Sequence, residues 1–299
     1  MDGFLNLLKP PGMTSSDAVV MVRRLCPKGT RVGHGGTLDP DAAGVLPICV
    51  GRAARLFDYM IDKNKRYVAE LTLGAETDTQ DATGKILREA DASRVTSADV
   101  EGILPNFVGQ IMQIPPQFSA IKRDGVRGYE AARAGKEIHI ESRPVRVQNL
   151  SFIRQIGRGK FLIAVECGKG LYVRTLMHDI GHALGCFGHM SFLLRTSAGS
   201  FEIEDALCPE DVLQCEHVGT LLMPVDAPIA HLPRIDLPLS RGAAVRNGNP
   251  IRAEWLEGPL DRPQLPQRIY LDGHFAGIGE RKDDGSVRFK AMLFAEGGA

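Results

Sequence analysis

A cluster of glycines set against a carboxylate and a proline constrains this chain more than any other feature. Residues 31–52, RVGHGGTLDPDAAGVLPICVGR, hold four glycines in their first fourteen positions, with His34 among them and Asp39 and Asp41 flanking Pro40. Gly33, Gly35 and Gly36 permit close approaches that side chains forbid, and Pro40 stiffens the chain just after a carboxylate. The apolar run that follows is too short to span a membrane and predicts a buried strand over 44–50. A rigidly presented Asp39 is then either a turn residue or a catalyst. Local chemistry favours the turn, because Asp beside Pro and Gly is ordinary there.

On either side the pattern alternates short strands and helices. FLNLLK predicts a strand with Lys9 at its end, read first as a solvated lysine. Pro10-Pro11-Gly12 then turn the chain, and Thr14 starts a helix with Ala18, Val19, Val22 and Leu25 on one face. Residues 52–60 have helical spacing, and 65–73 alternate as a strand with Tyr67, by default a core aromatic, near its start. GAETDTQDATG (74–84) resembles a calcium loop at a glance but lacks the ligand periodicity and closing Glu. Thr96 caps a helix over 96–107. Residues 144–155 and 160–168 pair as strands, and a helix opens after Gly170 with Tyr172 and Arg174 in its first turn. His178 and His182 are four apart on it. Without a zincin glutamate between them, they read as structural or surface histidines. A last core strand runs through SFLLRTSAGSF. Pro224, Pro228 and Pro233 mark a linker or extended strap before a tail with a short helix near 241–245 and strands at 267–271, 275–279 and 287–294.

Composition narrows the functional class only mildly. The 299 residues suit one large domain and a small one. Thirty-six basic and thirty-six acidic side chains give no global pull toward a polyanion. Within 113–134, QIPPQFSAIKRDGVRGYEAARA, however, Lys122, Arg123 and Arg127 are interleaved with Tyr129, a pattern suited to a nucleic-acid backbone. Six cysteines without a CxxC pair, and no signal-like start, lead us to expect reduced thiols in the cytoplasm. No apolar run reaches the roughly eighteen to twenty residues that a helix needs to cross a bilayer.

Taken together, the blocks resemble the TruB-type tRNA pseudouridine synthases. GHGGTLDP with AGVLPICVGRA carries the signature. LNLLKPPGMTSSDAV, KRYVAELTLGAETDTQDATG, QIPPQFSAIKRDGVRGYEAARAG, CGKGLYVRTLMHDIGHALG and LLRTSAGSF follow the family's order across residues 3 to about 230. The tail resembles, more loosely, a PUA-like RNA-binding domain.

The resemblance implies an α+β fold with a mixed, largely antiparallel sheet. It implies a catalytic domain over 1–230 with an RNA-contacting insertion at about 110–142, and a PUA-like domain over 235–299. It further implies isomerisation of the T-loop uridine at tRNA position 55 to pseudouridine: the N-glycosidic bond breaks, the base turns, and carbon rejoins the sugar, with no cofactor or metal. Asp39 matches the catalytic aspartate, which can add to the base or to the anomeric carbon. Arg174 matches its arginine partner, and Tyr67 the aromatic that stacks on the target base and takes part in proton transfer. His34 matches a histidine that holds the vacated loop after base flipping. Tyr172 and Leu194 match base-pocket positions, and Lys9 supports the loop from beneath without chemistry. Lys122, Arg123 and Arg127 match the arm that closes on phosphates. The partner implied is the tRNA T-arm stem-loop, bound by a monomer with no obligate protein partner and no membrane.

Two other classes stay in view. One is a phosphotransferase using Asp39 and Asp41 as a D-x-D pair, disfavoured because the glycines precede the pair and the strand follows it. The other is a noncatalytic tRNA-binding or tRNA-folding protein, which requires Asp39 to be dispensable.

Overall fold

The computed structural model describes residues 1–60, 64–116, 140–256 and 258–293, together with the backbone of 122–123 and 126–127. Its strands are β1 (Gly3–Lys9), β2 (Val32–His34), β3 (Ala43–Val50), β4 (Lys65–Leu73), β5 (Ala75–Thr77), β6 (Ile86–Glu89), β7 (Gly109–Gln113), β8 (Lys122–Arg123) and β9 (Val126–Arg127). β10 (Arg143–Gly157), β11 (Lys160–Cys167), β12 (Gly188–Ala198), β13 (Phe201–Glu202), β14 (Arg234–Leu237), β15 (Gln267–Leu271), β16 (His274–Arg281) and β17 (Val287–Met292) follow. The α-helices are α1 (Ser15–Arg24), α2 (Ser97–Ile103), α3 (Val173–Ala183), α4 (Pro209–Gln214) and α5 (Gly242–Arg246).

Among the described residues, nine strands form one sheet in the order β1-β3-β12-β4-β11-β10-β7, with β2 added to β3 and β13 to β12. Only β3 and β12 run parallel, with Leu194 opposite Ala43 and Arg195 opposite Gly44; the other pairings are antiparallel. The mixed, largely antiparallel α+β architecture expected from the sequence is therefore present. That single parallel junction lies where the glycine-rich loop enters the sheet.

Local chemistry explains the helices that frame the junction. Thr14 caps α1, accepting from the Asp17 amide while Asp17 accepts back from Thr14, so two orphan donors are satisfied. Ala18, Val19 and Val22 then pack on Leu5, Leu7, Leu46 and Ile48 of β1 and β3; burying each valine contributes about 2 kcal/mol. Thr96 and Asp99 form the same capping box on α2. α3 lays Leu176, Met177 and Ile180 on Ala69, Leu71, Ile163 and Val165 of the sheet's centre. Gly181 lets it approach so closely that a Cβ there would strike the backbone of Gly188 at the start of β12.

Two expectations change in detail. Residues 51–59 wind as a 3-10 helix. Its first amides are met from outside, Gly51 donating to the Arg31 carbonyl at 2.7 Å and Arg52 to Oδ1 of Asp2 at 2.6 Å. The proline-spaced stretch is a packed strap, with a 3-10 turn at Ala227–Ile229. Its Ile229 and Leu232 share a buried cluster with Phe4 and Leu56 of the large sheet's side, and with Ile278, Ala291 and Leu293 of the tail. The tail itself is a four-stranded sheet, β14-β15-β16-β17, whose first strand, parallel to β15, is an addition to the expected set. A further cluster of Ile235, Leu237, Val245, Ile269 and Val287 belongs to the tail alone.

Candidate active site

The loop between β2 and β3 is fixed at many of its backbone groups. Gly35 donates to the Pro47 carbonyl at 2.7 Å. Ser15, the first residue of α1, grips Leu38 twice: its Oγ donates to the Leu38 carbonyl at 3.0 Å and accepts from the Leu38 amide at 2.9 Å. The Gly12 amide donates to the Pro40 carbonyl at 2.9 Å. Asp39 thus sits between two clamped neighbours, with its side chain 38% exposed.

Two buried cations reinforce this grip from behind. Lys9 is fully buried, and Nζ donates to the carbonyls of Pro10 (2.8 Å), Met13 (2.6 Å) and Pro40 (2.9 Å). The sequence reading of a solvated lysine gives way here, because three carbonyls converging at the end of β1 need a three-donor ammonium. Burial pulls its pKa down to about 8, against the opposing pull of Asp41 and Asp39. Arg195, also fully buried, donates from Nε to Val45 (2.6 Å), from Nη1 to Thr37 (3.3 Å) and from Nη2 to Gly36 (3.2 Å). Gly44 is needed opposite it: φ is +116°, and a Cβ would strike the Arg195 backbone.

A third buried cation faces the carboxylate. Arg174, on the first turn of α3, places Nε 3.1 Å from Oδ2 of Asp39 and Nη2 3.4 Å from Oδ1. Its Nη1 reaches Oδ2 of Asp81 and the Thr79 carbonyl, each at 3.2 Å. Asp81 is itself held by the hydroxyls of Thr79 (2.7 Å) and Thr83 (2.6 Å) and by the Thr83 amide (3.0 Å). A chain of oriented polar contacts therefore runs from the 74–84 loop through Asp81 and Arg174 to Asp39. The planar fork of an arginine can face one carboxylate with two nitrogens while its third reaches another, a fixed geometry that a lysine's point charge does not supply.

Tyr67 stands on β4 opposite Arg195 of β12 and is buried. Burial, partly offset by Arg195, raises its phenol to about 12, with Cys167 and Asp39 adding to the rise. At neutral pH it is a protonated phenol. Lys65, one turn of the pleat away, approaches Gly36, and burial together with Arg195 pulls its pKa down. His34 is half-buried on β2, paired with Ile48. Its Nδ1 accepts from the Gly36 amide at 3.4 Å, and burial with Arg195 lowers its pKa, so the ring is neutral.

Of the remaining residues singled out in the sequence, Leu194 is half-buried at the β3–β12–β4 junction, opposite Ala43 and Val68. Tyr172 precedes α3 and exchanges two hydrogen bonds with Gln113, at 2.8 and 3.1 Å, while Arg143 lies over its ring at 5.3 Å. Lys122, Arg123 and Arg127 fall in the short β8–β9 hairpin, and their side chains, like Tyr129, lie outside the described residues. Asp41 is exposed on the loop.

Asp81, Arg195 and Lys65 were not singled out from the sequence. The only signal for Asp81 was its place in the polar 74–84 block, and Arg195 offered only a lone arginine in a mixed strand, just after Phe192, Leu193 and Leu194. All six cysteines are free thiols, and no described helix is long and apolar enough to cross a membrane.

The fold is shared with solved structures. A chain of a Cbf5-Nop10-Gar1 complex aligns with a TM-score of 0.72 at 25% identity, covering 97% of this chain and 84% of that one. A chain from an H/ACA RNP bound to a substrate RNA containing 2'-deoxyuridine aligns with the same TM-score at 24% identity, covering 98% and 85%. These set the class at the level of the fold. Residues 23–173 match the model described as TruB family pseudouridylate synthase (N terminal domain), and 174–232 match the tRNA pseudouridylate synthase B C-terminal domain. A tRNA pseudouridine synthase B of Alkaliphilus oremlandii is 42% identical over 98% of both chains. That of Heliobacterium modesticaldum is 44% identical over 95% of this chain and 92% of its own. The chain belongs to the TruB family of pseudouridylate synthases.

Proposed function

We propose that this protein isomerises the T-loop uridine at tRNA position 55 to pseudouridine, with Asp39 as the nucleophile. The observation that carries the reading is the Asp39–Arg174 pair, set on a loop whose backbone is held by Ser15, Lys9 and Arg195. Isomerisation must hold on to a base whose glycosidic bond has broken, and a fixed carboxylate that adds to the uridine keeps the fragments together.

Each group has work suited to its setting. Arg174 orients the Asp39 carboxylate, and Asp81 orients Arg174. Tyr67, buried with its proton on, stacks on the target base and can donate to it. His34, neutral and half-buried, fills the space left when the uridine is turned out of the T loop, a move that costs a few kcal/mol. Tyr172 and Leu194 wall the base pocket. Lys122, Arg123 and Arg127, in the insertion at about 110–142, contact phosphates. The catalytic domain occupies 1–230, and a PUA-like RNA-binding domain 235–299. The enzyme acts in the cytoplasm as a monomer on the T-arm stem-loop, with no obligate protein partner.

The test is incubation of the purified chain with unmodified tRNA transcript, followed by chemical mapping of pseudouridine. Conversion at position 55 is expected. Binding of the transcript without conversion would instead support a tRNA-folding protein.

A further inference from the structure

The face of α3 that carries Arg174 continues into a second polar cluster outside the active site. His178 and His182 lie one and two turns further along that face, with ring centroids 4.3 Å apart. Both aim Nε2 at one oxygen of Glu76 on β5: 2.6 Å from His182 and 3.5 Å from His178. The Glu76 side chain is only 6% exposed, and the three donor atoms all lie within 4.8 Å of one another. The helix spacing alone lacked a third donor, and the fold supplies it from about a hundred residues away.

The geometry is close to that of a metal site. An ion with bonds of about 2.0 to 2.2 Å in tetrahedral array holds its donor atoms about 3.3 Å apart. The His178–Glu76 separation already suits this, and the His182–Glu76 contact needs to open by less than about 1 Å, two metal bonds replacing one hydrogen bond. Two imidazoles and a carboxylate favour zinc-class ions over magnesium or calcium, which prefer all-oxygen sets. Arg88 is the competitor: its Nε and Nη2 sit 2.6 and 2.9 Å from the Glu76 oxygens, and its guanidinium lies over Phe187. With its side chain 57% exposed, Arg88 can turn outward into solvent.

We propose that Glu76, His178 and His182 form a binding site for one zinc-class divalent cation. Such an ion fastens the β5–β6 hairpin to α3. The same hairpin provides Asp81 and Thr79 to Arg174, and Gln80 to the Thr175 hydroxyl at 2.6 Å. The site is thus a clamp on the element that orients the Asp39 partner, without entering the reaction itself.

The probe is Co²⁺, titrated into the full-length chelator-treated protein and displaced by Zn²⁺. Expected are one equivalent bound, visible absorption of a nitrogen–oxygen set without thiolate charge-transfer bands, and a rise in melting temperature with Zn²⁺. His182→Ala, a change at an exposed position on a helix, should abolish both binding and the melting shift. Arg88→Ala, which removes the competitor, should tighten binding. Saturable binding absent from wild type and Arg88→Ala alike would overturn the proposal. So would binding that survives His182→Ala or shows thiolate bands, or an Arg88→Ala protein that binds more weakly.

Discussion

The two sides of the Asp39 loop use buried cations in opposite ways. Behind the loop, Lys9 and Arg195 donate to six backbone carbonyls and hold a shape. In front, Arg174 faces the Asp39 and Asp81 carboxylates, where under the proposed function it aims the nucleophile. Losing a rear donor leaves buried carbonyls unsatisfied, which costs the fold. Losing the front fork leaves the fold but unaims the carboxylate. Stability and turnover should therefore separate between the two regions, even though the residues involved lie within a few side chains of each other.

The largest effect is expected at the proposed nucleophile: Asp39→Asn should remove turnover while tRNA binding stays near wild type. Retained pseudouridine formation would end its role as nucleophile. Next come the rear residues. Arg195→Met strands the Gly36, Thr37 and Val45 carbonyls and should cost about 3 kcal/mol or more in denaturant unfolding, with activity falling in step. Lys9→Met should cost about 2 to 3 kcal/mol in the same way. If either variant unfolds like wild type yet loses activity, the division between shape and aim is wrong.

The smallest effect is a pH dependence of stability. The folded-state pKa of Lys9 is depressed to about 8 from 10.5, so the unfolded chain binds more protons between those values. Its contribution should therefore rise as pH goes from about 8 toward 10.5. Tyr67 acts in the opposite sense above pH 10, because its phenol is held at about 12 when folded. Comparing wild type with Lys9→Met cancels the Tyr67 part. The gap between the two proteins should widen from pH 7.5 to 10, and a constant gap would contradict the assignment.

Much of the front was legible in the sequence because its signals are local. Gly33 to Pro40 is one contiguous stretch, Thr14 declares a helix start, and Arg174 falls in a first helical turn. At the rear, Lys9 was legible beneath the loop from its motif, with Pro10 and Met13 close by in sequence, but Arg195 was not, because its partners are distant in sequence. Arg195 is one more polar residue in a mixed strand until the parallel β3–β12 junction sets it against residues 36–45, some 150 positions earlier. Asp81 and Glu76 gain meaning only once the β5–β6 hairpin lies on α3. The tail shows the same limit. The prolines before it mark a linker or extended strap, but they do not tell that Ile229 and Leu232 pack on both Phe4 and Leu293, so removing residues from 235 onward should lower stability as well as tRNA binding.

The sharpest measurement is a single-turnover rate for Arg174→Lys with unmodified tRNA at saturating enzyme, alongside its tRNA affinity and denaturant midpoint. The ammonium keeps the charge but loses the fork that faces Asp39 and Asp81 together. The expected result is a rate lowered about a hundredfold, with affinity near wild type and a fold that persists. A wild-type rate would contradict the claim that Arg174 aims Asp39.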